Sequence, residues 1–456
     1  MRTAASPSAV CRLTEEVVRA LPRAQDSFLL DAPPGCRHSR NAPYGWTDGQ
    51  ILFGWRPCAV LRIDPKKPPA DPLHELDVFL RAFEGSGAAI AVGYLSYDLG
   101  GYCEPAAASK QPVDPLPLVY FAAYDEYFAL CGSSGRLVRR RRGKPDSDVP
   151  DPRDMLSGSA GAAPADEPAV PGRRITSDLR YAQYIAAVKA AKEYILSGDI
   201  YEVNLSQRFA AVCDGDMRNL YVGLRRCNPA PYSAYISTPD AAVLSCSPEL
   251  FLRVDGSRVV TRPIKGTARR SVVPAEDDAI ACALDLSEKD NAELAMIVDL
   301  ERNDLGRVCR YGSVKVAQAR RVETFARVHH LVSTIEGRLR AGVSLTGLLA
   351  ATFPGGSITG APKIRAMQII DELEPCRRGV YTGSIGYVMP GGRAEFNIAI
   401  RTLVHHQRNL YIQVGGAITA DSDPHAEYLE TLAKAEAIFQ ALGCSVAPAE
   451  RERPCQ

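Results

Sequence analysis

Apolar residues along this chain fall into two spacings. Short runs at Ala88 to Leu95, Leu118 to Phe121 and Ala241 to Ser245 read as strands, and Tyr201 to Phe209 alternates apolar with polar as a strand does. Elsewhere the spacing is helical. Tyr181, Tyr184, Ile185, Val188 and Ile195 share one helical face, with Ser177 as the expected N-cap and Gly198 as the stop. Asp290 to Val308 reads as a helix whose buried side carries Leu294, Ile297, Val298 and Leu305. Pro362 suits the first turn of a helix running to Glu374, ahead of Pro375. Asp423-Pro424 opens a final helix, and Gly443 stands where a C-cap glycine belongs. Strands both cluster and alternate with helices, without internal repeats, which favours a layered α/β fold of the α+β kind over a doubly wound one.

Composition narrows the setting. A chain of 456 residues suffices for two or three average domains, or one large domain with insertions. Residues 1–132 read as a mixed α/β region, and the dense patterning begins at Ile175, giving a main domain over 176–445. Between them, 133–175 opens on the basic run Arg139 to Arg142 and turns to Pro, Ser, Gly, Ala and Asp, the composition of a linker or surface insertion. The net charge is +1 and the lone basic run is expected to be solvated, so no nucleic-acid partner is expected. Thirteen cysteines without a CxxC pair suggest neither a disulfide framework nor a zinc ribbon, which fits a reduced, cytoplasmic setting. Met1 to Leu21 holds Glu15 and Glu16 and lacks an apolar core, so it does not read as a signal peptide. No apolar run has the length of a membrane span, so no membrane association is expected.

Candidate chemistry centres on Lys265 in Thr261-Arg262-Pro263-Ile264-Lys265-Gly266-Thr267. A lysine at a buried strand end is costly unless paired, and one driven toward neutrality is a nucleophile. Glu249, in Ser247-Pro248-Glu249, closes another apolar run where it can meet that lysine; a structural ion pair and a catalytic pair both fit. Asp290 and Glu293 lie three apart on one helix, Glu427 and Glu430 repeat the spacing on the last helix, and Lys434 continues that face. If the two acidic faces converge, a hard divalent cation such as Mg²⁺ suits them, whereas an all-carboxylate set does not suit zinc; if they do not, they are solvated helix faces. Phe353 to Lys363 enters a helix through glycines and hydroxyls without phosphate-loop spacing, and Gln413 to Asp421 offers a second glycine-bearing approach to a ligand. Arg401 is a cation inside a strand, where a carboxylate partner would justify it, and His330 reads as a core histidine or a hydrogen-bond donor.

Taken together, the segments GDIYEVNLSQRF (198–209), SPELF (247–251), RPIKGTARR (262–270), EKDNAELAMIVDLERNDLGRV (288–308), FPGGSITGAPK (353–363), RRGVYTGSIGY (377–387) and IRT (400–402) closely resemble the chorismate-utilising enzymes. The resemblance runs nearly unbroken from Ile175 to Leu442 and is loose before about residue 130. It implies the family's large α/β fold, two facing antiparallel sheets surrounded by helices. It also implies a Mg²⁺ site at Glu293 and Glu430 supported by Asp290 and Glu427. Chorismate contacts are implied at Gly266, Thr267, Tyr381, Arg401, Gly415, Gly416 and Ala417, with Lys434 a further carboxylate partner. His330 and Ser357 would lie near the departing hydroxyl.

Within that family the chain most resembles the component I branch of the aminodeoxychorismate synthases. Lys265 stands where the anthranilate synthases carry a small residue, and FPGGS leans the same way. The branch implies attack by Lys265 on the ring, Glu249 as general acid, then addition of ammonia, on the way to 4-aminobenzoate and folate. The lysine is expected to have a depressed pKa. No Cys-His-Glu glutaminase signature accompanies these motifs, so a separate glutamine amidotransferase subunit is the expected ammonia source. Two positions depart from the pattern: Glu202 replaces the usual glutamine, and Ala417 the last glycine of Gly-Ala-Gly. Leu29 to Asp31 and Asn228 to Ser233 resemble tryptophan-holding segments of relatives, without the serine expected after Leu-Leu. Competing readings are an anthranilate synthase component I, an isochorismate synthase using water, and a non-catalytic binding paralogue.

Overall fold

The computed structural model describes residues 7–23, 25–32, 45–46, 49–109, 111, 115–131, 136–148 and 175–444. Among them, every strand pairing is antiparallel, and the strands form a twelve-stranded and a ten-stranded sheet. The larger sheet runs from Glu202–Val212 through Asn409–Ile418, Ala241–Ser247 and Tyr232–Ser237 to Ser27–Asp31 and Leu137–Arg141. The smaller runs from Ile264–Arg269 through Val328–Arg338, Leu250–Asp255 and Ile90–Leu95 to Ala59–Ile63. Residues before 132 therefore supply strands to both sheets.

Unbroken apolar strands are explained by what covers them. Along Ser27–Asp31 every residue is buried, with Phe28 and Leu30 in one apolar core and Leu29 in another. Ile90–Leu95 behaves likewise, alternating between the core it shares with Phe28 and a third one. Successive side chains point to opposite faces, so a strand covered on both sides needs apolar residues at every position. The shared core lies between the sheets, where Trp46 meets Tyr232 of one and Tyr387 of the other edge-on. Helices close the outer faces: Pro72–Ser86, Glu288–Gly306 and Leu345–Thr352 on the smaller sheet, Met217–Cys227 and Pro424–Ala441 on the larger. Gly93 is required where the sheet is tightest, because a Cβ there would stand 1.9 Å from the Tyr120 carbonyl oxygen.

The expected helices form, with shifted ends. Ser287 caps Glu288–Gly306 by accepting from the Asp290 amide, and Asp423 caps Pro424–Ala441, with Gly443 left-handed beyond its end. Pro362 is the N-cap of Lys363–Leu373. Ser177 is not a cap: it sits in the short strand Thr176–Ser177 against Phe209, its hydroxyl bonded to Gln207, and the helix Tyr181–Leu196 starts after Arg180. The basic run likewise differs from a solvated linker, since Leu137–Arg141 is a strand on Glu126–Cys131, Arg139 lies over the Phe128 ring, and Arg141 and Arg142 pair with Glu126 and Glu84. Local arginine charge hid the apolar Leu137 and Val138 that bury this strand. Residues 149–174 lie outside the described residues. No helix among the described residues is long and apolar enough to cross a membrane.

Leu29 to Asp31 and Asn228 to Ser233 do meet, through the pairing of Ser27–Asp31 with Tyr232–Ser237. There the fully buried Asp31 carboxylate accepts from Arg225. Asp31→Ala would strand that guanidinium in the core, and breaking a buried pair this way costs about 3–5 kcal/mol. The expected result is a clearly lowered urea midpoint for Asp31→Ala; a native midpoint would contradict the pairing.

Candidate active site

A cavity of about 520 Å³ opens where the ends of both sheets meet the helices Glu288–Gly306 and Pro424–Ala441, and its lining residues all fall between Asn204 and Gln440. Lys265, Glu249, His330, Gly266, Thr267, Ser357, Tyr381, Arg401, Gly415, Ala417 and Lys434 all face it, together with Asp290, Glu293, Glu427 and Glu430. Gly416 stands just behind, where a Cβ would lie 3.4 Å from Glu427 Oε2 and 3.7 Å from Glu430 Oε1.

Lys265 is placed by a bulge. The strand Ile264–Arg269 pairs Lys265 with Leu331 and Thr267 with His330, and the register breaks between them at Gly266. Gly266 has φ +70°, and a Cβ there would come within 2.9 Å of Asp290 Oδ1, so both conformation and space demand glycine. Thr267 Oγ1 lies 2.9 Å from His330 Nδ1. Burial and then the Arg401 charge push His330 down to about 3, so its ring is neutral, and its buried Nε2 has no partner among the described residues.

The lysine's partner is not Glu249. Lys265 Nζ donates to Glu202 Oε1 at 2.5 Å, and both side chains are buried. Burial alone would favour the neutral amine, but Glu202, Glu293 and Glu249 outweigh it and raise the lysine's proton affinity. The depressed lysine pKa expected from sequence is thereby corrected: the lysine rests as an ammonium. Glu249 instead accepts from Ser357 Oγ at 2.6 Å, and burial pushes its carboxyl up to about 7 against the pull of Ser357 and Lys265. It therefore holds its proton below about pH 7, far above the ordinary carboxylate range.

The glycine-rich loop acts by packing. Cβ atoms on Gly355 and Gly356 would stand 2.7 Å from Ile398 Cδ1 and 2.8 Å from Leu300 Cδ2, so the two glycines let the loop press Ser357 toward Glu249. Lys363 points away from the cavity and pairs with Asp304. Arg401 has φ +50° and donates to Asn228 Oδ1 at 3.2 Å, without a carboxylate partner among the described residues. A half-buried guanidinium in a cavity wall suits a ligand carboxylate.

The acidic pairs occupy the same cavity, each with a lysine beside it. Lys434 Nζ lies 2.7 Å from Glu430 Oε1 and donates to the Gly415 carbonyl, while Lys289 Nζ is 3.9 Å from Glu293. Burial raises Glu293 and Glu427, with Asp290 and Glu430 adding to the effect, whereas at Glu430 the lysines overcome burial and hold it low. Among the described residues no three His, Cys, Asp or Glu side chains close into a metal-holding group. The donor chemistry nonetheless fits a hard divalent cation, since four carboxylates on two helices, two of them with raised proton affinity, are relieved by positive charge.

Sequence reasoning passed over three residues here. Glu202 was noted as a departure that could act as a base and not as the partner of Lys265, although strand periodicity sets it on the face of Asn204, which lines the cavity. Asn228 also lines the cavity and holds Arg401. Glu301 accepts from Thr261 Oγ1 at 2.8 Å, and burial, with the Glu249 charge, pushes it up to about 8. No local signal marks it, because one acid in a charged helix resembles any other.

A two-sheet α/β fold with an ammonium, a protonatable carboxyl, a half-buried guanidinium and four carboxylates around one cavity suits an enzyme for a small anionic substrate. The description "chorismate binding enzyme" belongs to the family model that matches residues 27–440. Anthranilate synthase component 1 1 of Haloarcula marismortui is 42% identical over 424 residues, 88% of this chain and 86% of the relative. Aminodeoxychorismate synthase component 1 of Salmonella typhimurium is 42% identical over 386 residues, 82% of each chain. The crystal structure of anthranilate synthase component I from Streptococcus pneumoniae TIGR4 superposes with a TM-score of 0.72 at 28% identity, covering 88% of this chain and 93% of that one. The chain belongs to the chorismate binding enzyme family, and it is a chorismate-utilising enzyme.

The buried acids also set a pH dependence of stability. Glu249 and Glu301 keep protons in the fold that the unfolded chain sheds in the ordinary carboxylate range. Their contribution is whole at acid pH and is lost as pH rises through about 7 and about 8 respectively. Glu301→Gln, which keeps an acceptor for Thr261, should flatten this decline and add on the order of 1 kcal/mol or more at mildly alkaline pH. Urea midpoints measured across pH check this; curves that run parallel for the two proteins would contradict it.

Proposed function

We propose that this chain acts as component I of an aminodeoxychorismate synthase, converting chorismate and ammonia into 4-amino-4-deoxychorismate. The observation that carries the reading is Lys265, a buried amine in the cavity wall with the protonated Glu249 also facing that cavity. Relatives bearing the aminodeoxychorismate synthase name support it, and relatives of equal identity named anthranilate synthase make Lys265 the deciding residue.

The substrate's carboxylates are received by Arg401 and by the acidic end of the cavity. A Mg²⁺ held there by Glu293 and Glu430, with Asp290 and Glu427 supporting, supplies positive charge to the ring carboxylate when bound. Gly266, Thr267, Tyr381, Gly415 and Ala417 line the ring, and Gly416 keeps Cβ bulk away from the carboxylates. Lys265 Nζ attacks C2 of the ring while Glu249 protonates the departing C4 hydroxyl, with the neutral His330 and Ser357 beside it. Ammonia then adds at C4 and the bonding pair returns to Nζ. Two displacements relayed through the ring diene replace one direct substitution, the general gain of covalent catalysis.

Residues 176–445 form the catalytic region on this reading, and the segments before 132 buttress it. Ammonia comes from a glutamine amidotransferase subunit, and the product leads to 4-aminobenzoate and folate in the cytoplasm. The tryptophan expectation for the N-terminal segments rests on resemblance alone.

Mass spectrometry of the small molecules formed from chorismate, Mg²⁺ and an ammonium salt tests the reading. A product one mass unit below chorismate, converted to 4-aminobenzoate by an added lyase, is expected; anthranilate with pyruvate, or an isomer at chorismate's own mass, would overturn it. Lys265→Ala should lose about 10²-fold or more in amination rate, and native kinetics in that variant would exclude a covalent role. For Glu430→Gln, the Mg²⁺ titration should shift to higher concentration by roughly tenfold or more, and an unmoved titration would remove this residue from the ligand set.

A further inference from the structure

The proposed reaction needs Lys265 as an amine, yet the fold stores it as an ammonium, so its proton must leave before or during attack. The carboxyl groups that act on Nζ come from four elements: Glu202 at the start of its strand, Glu249 after the Ala241–Ser247 strand, Glu293 on its helix and Glu430 on the last helix. Of these, only Glu202 lies within ion-pair distance among the described residues. Glu249 already carries the proton that the leaving hydroxyl requires, and Ser357 holds it. Glu293 and Glu430 face lysines of their own.

Glu202 is built to stay where it is. Its backbone pairs with Ala361, and the neighbouring Gly360, at φ +138°, has to be glycine because a Cβ there would stand 2.1 Å from the Glu202 carbonyl oxygen. Its side chain has no solvent exposure, Oε1 accepts from the lysine, and Oε2 has no partner among the described residues. A purely structural ion pair at this depth would be expected to satisfy both oxygens, because an orphaned buried acceptor costs about 1–3 kcal/mol. Nor does Glu202 line the cavity, so it reaches substrate only through Lys265.

We infer that Glu202 is the proton acceptor for Lys265, taking a proton from Nζ as it attacks the ring and returning it when Nζ departs. This rests on the amination reading above. In the forward step one N–H proton passes to Oε1, the freed pair on Nζ forms the bond to C2, both double bonds of the ring diene shift by one position toward C4, and the C4–O bond breaks. The oxygen leaves as water with the proton of Glu249. When ammonia adds at C4, the C2–N pair returns to Nζ, which regains its proton from Glu202, and the new ammonium group returns a proton to Glu249. The balance is chorismate plus ammonia giving aminodeoxychorismate plus water, without a net proton drawn from solvent by the lysine.

The test compares kcat/KM for chorismate in the native chain, Glu202→Gln and Glu202→Asp, from about pH 6 to about pH 9 at saturating Mg²⁺ and ammonium. Variant-to-native ratios cancel the titrations of ammonium and of the acidic ligands common to all three. Glu202→Gln can accept the lysine's hydrogen bond but not its proton, so its ratio should fall about tenfold for each pH unit below the lysine's new pKa. Glu202→Asp keeps a carboxylate and should keep the native profile at a lower rate. A flat ratio for Glu202→Gln would overturn the inference while leaving the amination reading intact. If Glu202→Gln does not fold, the aspartate variant decides, since an acid limb in its ratio would overturn the inference. A native chain that forms no aminodeoxychorismate would overturn both.

Discussion

A charge can be buried near the meeting edges of two covered sheets only where a counter-charge meets it, and this constraint organises the molecule. Strands whose two faces are both enclosed leave little room for water, so each ionic group inside must be paired, neutralised by a proton, or directed at a ligand. All three solutions occur. Asp31 with Arg225 and Arg378 with Glu374 are paired, Glu249 and Glu301 keep protons, and Arg401 in a cavity wall has no carboxylate partner among the described residues. Lys265 with Glu202 belongs to the first class in geometry and to the catalytic site in position.

That sorting is what separates scaffold from chemistry. Arg378 spends its donors on Glu374, Ile358, Asn204 and Thr382, which ties together segments bearing the cavity residues Asn204, Ile358 and Tyr381. It holds the walls without facing the cavity. Several groups that do face it keep unmet capacity, such as the Arg401 guanidinium and His330 Nε2, as expected where affinity for a ligand is stored in unsatisfied polar groups.

Much of this was legible in sequence, for reasons that can be named. Long helices with strong spacing and caps, such as Glu288–Gly306 and Pro424–Ala441, follow from local rules and lie within a residue or two of the expected ends. Helical spacing placed each acidic pair on one helix face, with Lys434 on the second, whereas their meeting in one site was implied only by the family resemblance. Quantities set by distant partners escaped. Ser177 is claimed by Phe209 rather than by the helix beside it, and the strand at Leu137–Arg141 is recognisable only once Glu126–Cys131 is next to it. The lysine's proton affinity had the wrong sign because burial was visible in the apolar run, while Glu202, 63 residues away along the chain, was not identified as its partner.

The proposed chemistry turns on a bond between Lys265 and the substrate ring. It is tested most directly by quenching the native chain in acid during turnover with chorismate and Mg²⁺ in limiting ammonia, then mapping peptides by mass. A chorismate-derived adduct is expected on the peptide bearing Lys265, absent from Lys265→Ala and discharged on addition of ammonium. Turnover to aminodeoxychorismate with Lys265 unmodified at every time, or an equal rate in Lys265→Ala, would contradict it.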